Sequence, residues 1–147
     1  MTEKSLYHTY VHNQDGLVGL SYVVGQEGLS LGVSSSLVPA PGGANPEQFI
    51  GFALSTCFNA TLRIVQRRLK MPINSEVRTR VDEFKDTQGY KFTVEAQILM
   101  PDYSEADAKK VINIALDECP TAKLLKDNEG VTFRLVDNFG EEPVLGE

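Results

Sequence analysis

Cysteine is scarce in this chain, and that scarcity is the first constraint. Two cysteines, Cys57 and Cys119, stand among 147 residues. There is no CxxC pair and no Cys/His cluster at zinc-ligand spacing, which excludes zinc ribbons and disulfide-stapled scaffolds. Histidine is as sparse. His8 and His12 share one strand face without acidic or cysteine partners, a poor metal site, so no metal and no cofactor is expected. Basic residues are outnumbered, 14 Lys and Arg against 20 Asp and Glu, for a net charge of −6. That balance speaks against nucleic-acid partners and against charge-driven docking on anionic membranes. Long apolar runs are missing, so no membrane-spanning segment is expected. No secretion signal is visible, because Met1 to Lys4 leads straight into an alternating pattern. A reducing, cytoplasmic location is therefore expected, where a permanent structural disulfide is out of place.

What is present is ordinary: 41% hydrophobic and 23% charged residues, in a chain long enough for one domain over residues 1–147. The sequence centres on Asn45 to Lys70. Asn45 is suited to cap a helix, Pro46 to its first position, and Gln48 to reach back as in a capping box. Glu47 puts negative charge in the first turn, while Arg63, Arg67, Arg68 and Lys70 put positive charge towards the far end. Met71-Pro72 is the expected stop. At about 100° per residue, Phe49, Ile50, Ala53, Leu54, Ala60, Ile64 and Val65 form one apolar arc with Cys57 near its middle. Phe52, Phe58 and Leu62 fall outside that arc. A helix apolar on most sides needs cover on most sides, and a second copy of the chain is expected to supply part of it.

Around that helix the pattern is mixed. Ser5 to His12 alternates with period two, Asn13 to Gly16 is a turn, and Leu17 to Val24 resumes the alternation, so a hairpin is expected. Gly25 to Gly28 turns again before Leu29 to Val33, and Ser34 to Ala44 is a loop. Beyond Pro72, Val77 to Asp82 alternates, Asp86 to Gly89 turns, and Tyr90 to Met100 is the cleanest strand, its apolar face running through Tyr90, Phe92, Val94, Ala96, Ile98 and Met100. Ser104 is placed to cap a second helix, with Asp107 in the capping-box position. Pro120 must kink or divide that helix, and if a new turn begins there Cys119 stands at its N-cap. Val131 to Asp137 is a closing strand, and Phe139 to Glu147 an acidic tail. Tyr7, Tyr10 and the phenylalanines are expected in the core. The order βββ-α-ββ-α-β defines an α+β fold.

Taken alone, Cys57 on an apolar helix face reads as core filling. The pair admits chemistry. Two neighbouring thiols can reduce a peroxide: one sulfur attacks the O–O bond and becomes a sulfenic acid, and the other condenses with it to a disulfide. An external dithiol then resets the pair by exchange. If the thiols are filler, the two cysteines should lie too far apart to bridge, beyond about 7 Å between Cα atoms.

Three stretches carry a resemblance: Pro41 to Phe49, with Asn45-Pro46-Glu47-Gln48 inside it; Ala53 to Phe58, around Cys57; and Cys119-Pro120-Thr121-Ala122-Lys123. They resemble the OsmC/Ohr family of organic hydroperoxide reductases, in the form closer to its Ohr branch. The resemblance implies an intertwined homodimer whose long central helices pack between two antiparallel sheets, with active sites at the subunit interface. It implies Cys57 as the peroxidatic cysteine, Cys119 as the resolving one, and Glu47 as the carboxylate that orients a catalytic arginine. Organic, fatty-acid-type hydroperoxides would be the substrates, and a dithiol, such as a lipoyl-bearing protein, the reductant. One departure stands out. Gln14 occupies the position of the family's arginine, and no arginine precedes Arg63. Arg78 or Arg80 is the candidate replacement. The alternative is a catalytically attenuated relative that binds an apolar ligand or senses oxidants.

Overall fold

Asparagine begins the architecture twice. In the computed structural model, which describes residues 4–16, 18–25, 28–37 and 42–140, Asn13 closes the first hairpin. Its Oδ1 accepts from the Gly16 N–H at 3.0 Å, and Gly16 takes the left-handed φ of 76° that glycine allows without penalty. The hairpin joins β1 (Val11–Asn13) to β2 (Gly19–Val23), and β3 (Ser30–Val33) completes an antiparallel three-stranded sheet. Of the strand expected over Ser5 to His12, the sheet takes in no more than Val11 and His12. Tyr7 and Tyr10, expected in the core, are 79% and 69% exposed. The correction has a simple cause: period-two alternation sets which face a side chain takes, but burial needs a second layer on that face.

Asn45 begins the long helix α1 (Pro46–Arg68) as anticipated. The Gln48 N–H donates to Asn45 Oδ1 and the Asn45 N–H to Gln48 Oε1, both at 2.9 Å, satisfying two donors at once. The far end differs from expectation. Lys70 adopts φ 56°, the Met71 N–H reaches back to Gln66 O at 2.9 Å, and the Lys70 N–H reaches Arg67 O at 3.1 Å. This is a Schellman closure with lysine where glycine is favoured, so the helix has ended before Pro72 can act.

The buried stripe of α1 is Leu54, Phe58, Thr61, Leu62, Val65 and Gln66. The expected arc is thus corrected. Leu54 and Val65 belong to both, but Phe58 and Leu62 are completely buried while Ala53, Ala60 and Ile64 are exposed. With both faces apolar, periodicity cannot rank them. The sheet chooses.

The chain divides after Gln48 into two compact units. In the second, β4 (Glu76–Lys85) and β5 (Tyr90–Leu99) form an antiparallel hairpin, closed by the Asp86 N–H on Gly89 O at 2.9 Å. Then α2 (Glu105–Glu118) and α3 (Pro120–Leu125) lead to β6 (Val131–Val136), which pairs with β5 in parallel. This second sheet is therefore mixed, not antiparallel as expected, because a helical crossover returns the chain in its original direction. Leu54, Phe58, Leu62 and Val65 of the α1 stripe, Val94, Ala96 and Ile98 of β5 with Met100 just beyond it, and Ala108, Val111, Ile112 and Ala115 of α2 belong to one core cluster. Within it Phe58 tilts against Phe133, ring centroids 5.1 Å apart. Tyr90 and Phe92 share the apolar strand face yet stay exposed at the hairpin end. No helix among the described residues is long and apolar enough to cross a membrane. The tail over residues 141–147 lies outside the described residues, as does part of the expected 34–44 loop.

Candidate active site

The backbone at the end of α2 explains why a thiol stands there. The Cys119 N–H still bonds Ala115 O at 2.8 Å, but its ψ of 119° leaves the helical region. Pro120 has no N–H to give and its fixed φ suits a first helical position, so a new helix starts at once. Cys119 thereby closes α2 and caps α3. Its Sγ accepts from the Ala122 N–H at 3.5 Å, and its carbonyl from the Lys123 N–H at 2.9 Å.

Cys57 projects from the middle of α1. The Cys119 thiol donates to Cys57 Sγ at 3.5 Å across a separation of 62 residues. Both are free thiols, Cys119 buried and Cys57 partly so. A disulfide of ~2.05 Å needs the sulfurs to approach by only about 1.5 Å. Thiols acting as mere filler were expected to be too far apart to bridge, and these are in contact. Thr61, one turn along α1 and buried, donates its hydroxyl to Cys57 O at 2.9 Å.

The two thiols differ electrostatically. Burial pushes Cys57 up, but hydrogen bonds from the Thr121 hydroxyl, the Thr121 backbone N–H and the Cys119 thiol bring it below the ordinary thiol value. Burial holds Cys119 above that value. Donating its proton to Cys57 adds to the effect, while the Ala122 N–H and Thr61 act against it. In this pair the negative charge belongs on Cys57 and the proton on Cys119. Sequence reasoning missed Thr121 and Thr61. A signal for Thr121 existed: if Cys119 caps a helix at Pro120, residue 121 lies in its first turn.

Glu47, in the first turn of α1, accepts a hydrogen bond from Ser36 Oγ at 2.8 Å. Gln14 is exposed in the turn between β1 and β2. Both belong to the first unit and the sulfurs to the second. Arg80 forms a two-pronged pair with Asp82 at 2.8 and 3.0 Å, and Arg78 lies 4.6 Å over the Phe139 ring. His8 packs edge-on against Tyr10, and His12 against Tyr22. Among the described residues, no three His, Cys, Asp or Glu side chains group as metal ligands would.

Capped central helix, mixed sheet and paired thiols define a class of protein, and residues 39–135 match the model of that class, OsmC-like protein. The chain belongs to the OsmC-like family. Organic hydroperoxide resistance protein OhrA of Bacillus subtilis is 30% identical over 95 residues, 63% of this chain and 67% of that protein. Organic hydroperoxide resistance protein-like 2 of Staphylococcus epidermidis is 30% identical over 57% of this chain and 61% of its own length, so the match spans about three-fifths of that relative. Among solved structures, a Lactobacillus casei protein superposes with a TM-score of 0.84 at 33% identity, covering 94% of this chain and 96% of that one. The organic hydroperoxide resistance protein OhrB of Bacillus subtilis gives 0.79 at 26% identity, covering 90% and 100%.

Proposed function

We propose that this protein is a thiol-dependent peroxidase that reduces organic, fatty-acid-type hydroperoxides to alcohols. The Cys57 thiolate attacks the terminal oxygen of the hydroperoxide and the O–O bond breaks. The alkoxide takes up the proton released by Cys57 and leaves as the alcohol, with Cys57 oxidised to a sulfenic acid. The Cys119 thiol then attacks the Cys57 sulfur, water leaves, and a disulfide forms. An external dithiol, with a lipoyl-bearing protein as the candidate, reduces the pair by exchange and becomes a disulfide itself. One observation carries this reading: the Cys119 thiol donates to Cys57 Sγ at 3.5 Å, so the thiolate and its resolving partner are already paired. The names of the related proteins support it. In this reading Glu47 is the orienting carboxylate, and Gln14 takes the place of the family's arginine.

The test is a thiol count. Cumene hydroperoxide added to the reduced protein should consume both thiols, and Cys57→Ser should abolish the reaction. Two thiols left free after treatment would refute the proposal. A second reading, an attenuated member that senses oxidants or binds an apolar ligand, is favoured by Gln14 and by the lack of any arginine before Arg63. It predicts a large gain in rate for Gln14→Arg, whereas a fully active protein gains little.

We further propose an intertwined homodimer. Phe52 and Ile64 on α1 are 67% and 57% exposed, and Tyr90 and Phe92 also face solvent in a single chain. Apolar area of this extent marks a contact surface. Sedimentation should report a dimer at micromolar concentration, and a monomer would remove this part of the proposal.

A further inference from the structure

Two reduced thiols are held at a fixed spacing. Cys119 closes α2 through its N–H on Ala115 O at 2.8 Å, and its carbonyl opens α3 by accepting from the Lys123 N–H at 2.9 Å. Cys57 rides on α1, one turn before Thr61, whose hydroxyl donates to Cys57 O at 2.9 Å. Both are free thiols, with their sulfurs 3.5 Å apart. For metal–sulfur bonds of ~2.3 Å, that spacing subtends an angle of about 100° at an atom shared by the two. The angle discriminates among soft acceptors. A linear two-coordinate ion needs its sulfurs about 4.6 Å apart and would push these helices away from each other. A tetrahedral ion accepts a slightly wider angle but needs further ligands. Among the described residues no three His, Cys, Asp or Glu side chains group to supply them. A pyramidal three-coordinate atom, with a lone pair in its fourth corner, holds its bonds near the observed angle. It asks the protein for two sulfurs alone.

We propose that the reduced Cys57–Cys119 pair is a binding site for trivalent arsenic, which bridges the two sulfurs and keeps its third substituent. With an organic arsenic(III) oxide, two As–S bonds form and the bonds from arsenic to oxygen break. The two thiol protons leave with that oxygen as one water, and no atom changes oxidation state. A disulfide needs the sulfurs to approach further, whereas the arsenic bridge uses the spacing that the reduced chain already has. Little ordering is then left to oppose binding. Access is from Cys57, which is half-buried, since Cys119 is completely buried. Ala53 and Ala60 lie about one turn to either side of Cys57 on α1, exposed and small, and leave the third substituent room there. The site goes beyond the peroxidase reading, because binding needs neither a peroxide nor turnover.

The test titrates the reduced full chain with phenylarsine oxide under argon, reading intact mass and the thiols still open to a maleimide. One phenylarsenic group should add per chain, with loss of two hydrogens and of both free thiols. Excess glutathione, a monothiol, should leave it in place, and dimercaptopropanol should remove it. Cys57→Ser and Cys119→Ser each keep one sulfur, so each should bind about 10²–10⁴-fold more weakly and release the arsenical to glutathione. If Cys119→Ser does not fold, Cys57→Ser asks the same question at the less buried position. Equimolar zinc should not displace the arsenical, and displacement would overturn the choice of a three-coordinate centre. Two thiols left open, a serine variant binding as tightly as the parent, or arsenic linking two chains would each overturn the proposal. Peroxide consumption is followed on separate samples. Arsenical binding in a protein that leaves peroxide untouched upholds the site and refutes the peroxidase, whereas a working peroxidase that takes up no arsenical refutes the site alone.

Discussion

Replacing Cys119 separates its structural work from its chemistry. Cys119→Ala removes a completely buried sulfur, the acceptor for the Ala122 N–H, and the donor to Cys57. Loss of an N-cap acceptor costs about 0.5–2 kcal/mol, and a thiol is a weak acceptor, which places this case at the low end. The buried sulfur, comparable to one methylene, adds about 0.8 kcal/mol. The sum is roughly 1–2 kcal/mol, a fall of about 0.5–1 M in the urea midpoint for a chain of this size. Cys119→Ser should fall less, since its hydroxyl can both accept from Ala122 and donate to Cys57 and so escapes the penalty for an unpaired buried group. Both variants, unfolded in urea at one fixed protein concentration after full reduction, should therefore rank parent, serine, alanine. An alanine variant more stable than the serine would show that the two hydrogen bonds do not form. Chemically the two should behave alike: one equivalent of peroxide consumed, then arrest, with a sulfenic acid that dimedone labels. Continued turnover without Cys119 would refute its resolving role.

Other expectations follow from the same structure. With Cys57 held below the ordinary thiol value and Cys119 above it, limiting iodoacetamide near neutral pH should label Cys57 first, and equal labelling would contradict the assignment of charge. The sign of the linked stability is also set: because its pKa is depressed in the folded chain, Cys57 adds stability above the unfolded thiol pKa, and that contribution is lost as pH falls through the folded value. Lys70→Gly should stabilise the chain by about 1 kcal/mol, read as a higher urea midpoint, because Lys70 occupies the left-handed position of the Schellman closure. A neutral or destabilised variant would mean that Lys70 does not hold that conformation in solution. Phe58→Ala should cost about 3–5 kcal/mol, since the ring is completely buried and packed on Phe133; a loss under about 1 kcal/mol would place Phe58 outside the core.

Much of the local structure could be read from single stretches. The Asn45–Gln48 capping box, the Ser104 cap, the Asn13 turn and the break at Pro120 each depend on residues within one turn of one another. Their geometry follows from backbone sterics and short-range hydrogen bonds, and no distant partner can veto it. The same holds for β5, where alternation and turn residues agree. Where a stretch needed a distant surface, the reading faltered. Ser5 to Tyr10 alternates well yet joins no strand, and Phe58 and Leu62 outrank Ala53 and Ile64 because of what packs on them.

The sequence by itself settled where helices start and break, that one thiol lies within the first helix and the other at the Pro120 break, and which side chains were available to serve them. Tertiary structure decided the rest: that β6 runs parallel to β5, which face of α1 is buried, and that Cys57 and Cys119 touch across 62 residues. The reason is one of range. Caps and turns are fixed by neighbours a few bonds away, whereas the separation of two sulfurs on different helices is set by how those helices pack, and packing is a sum over many side chains that no single stretch contains.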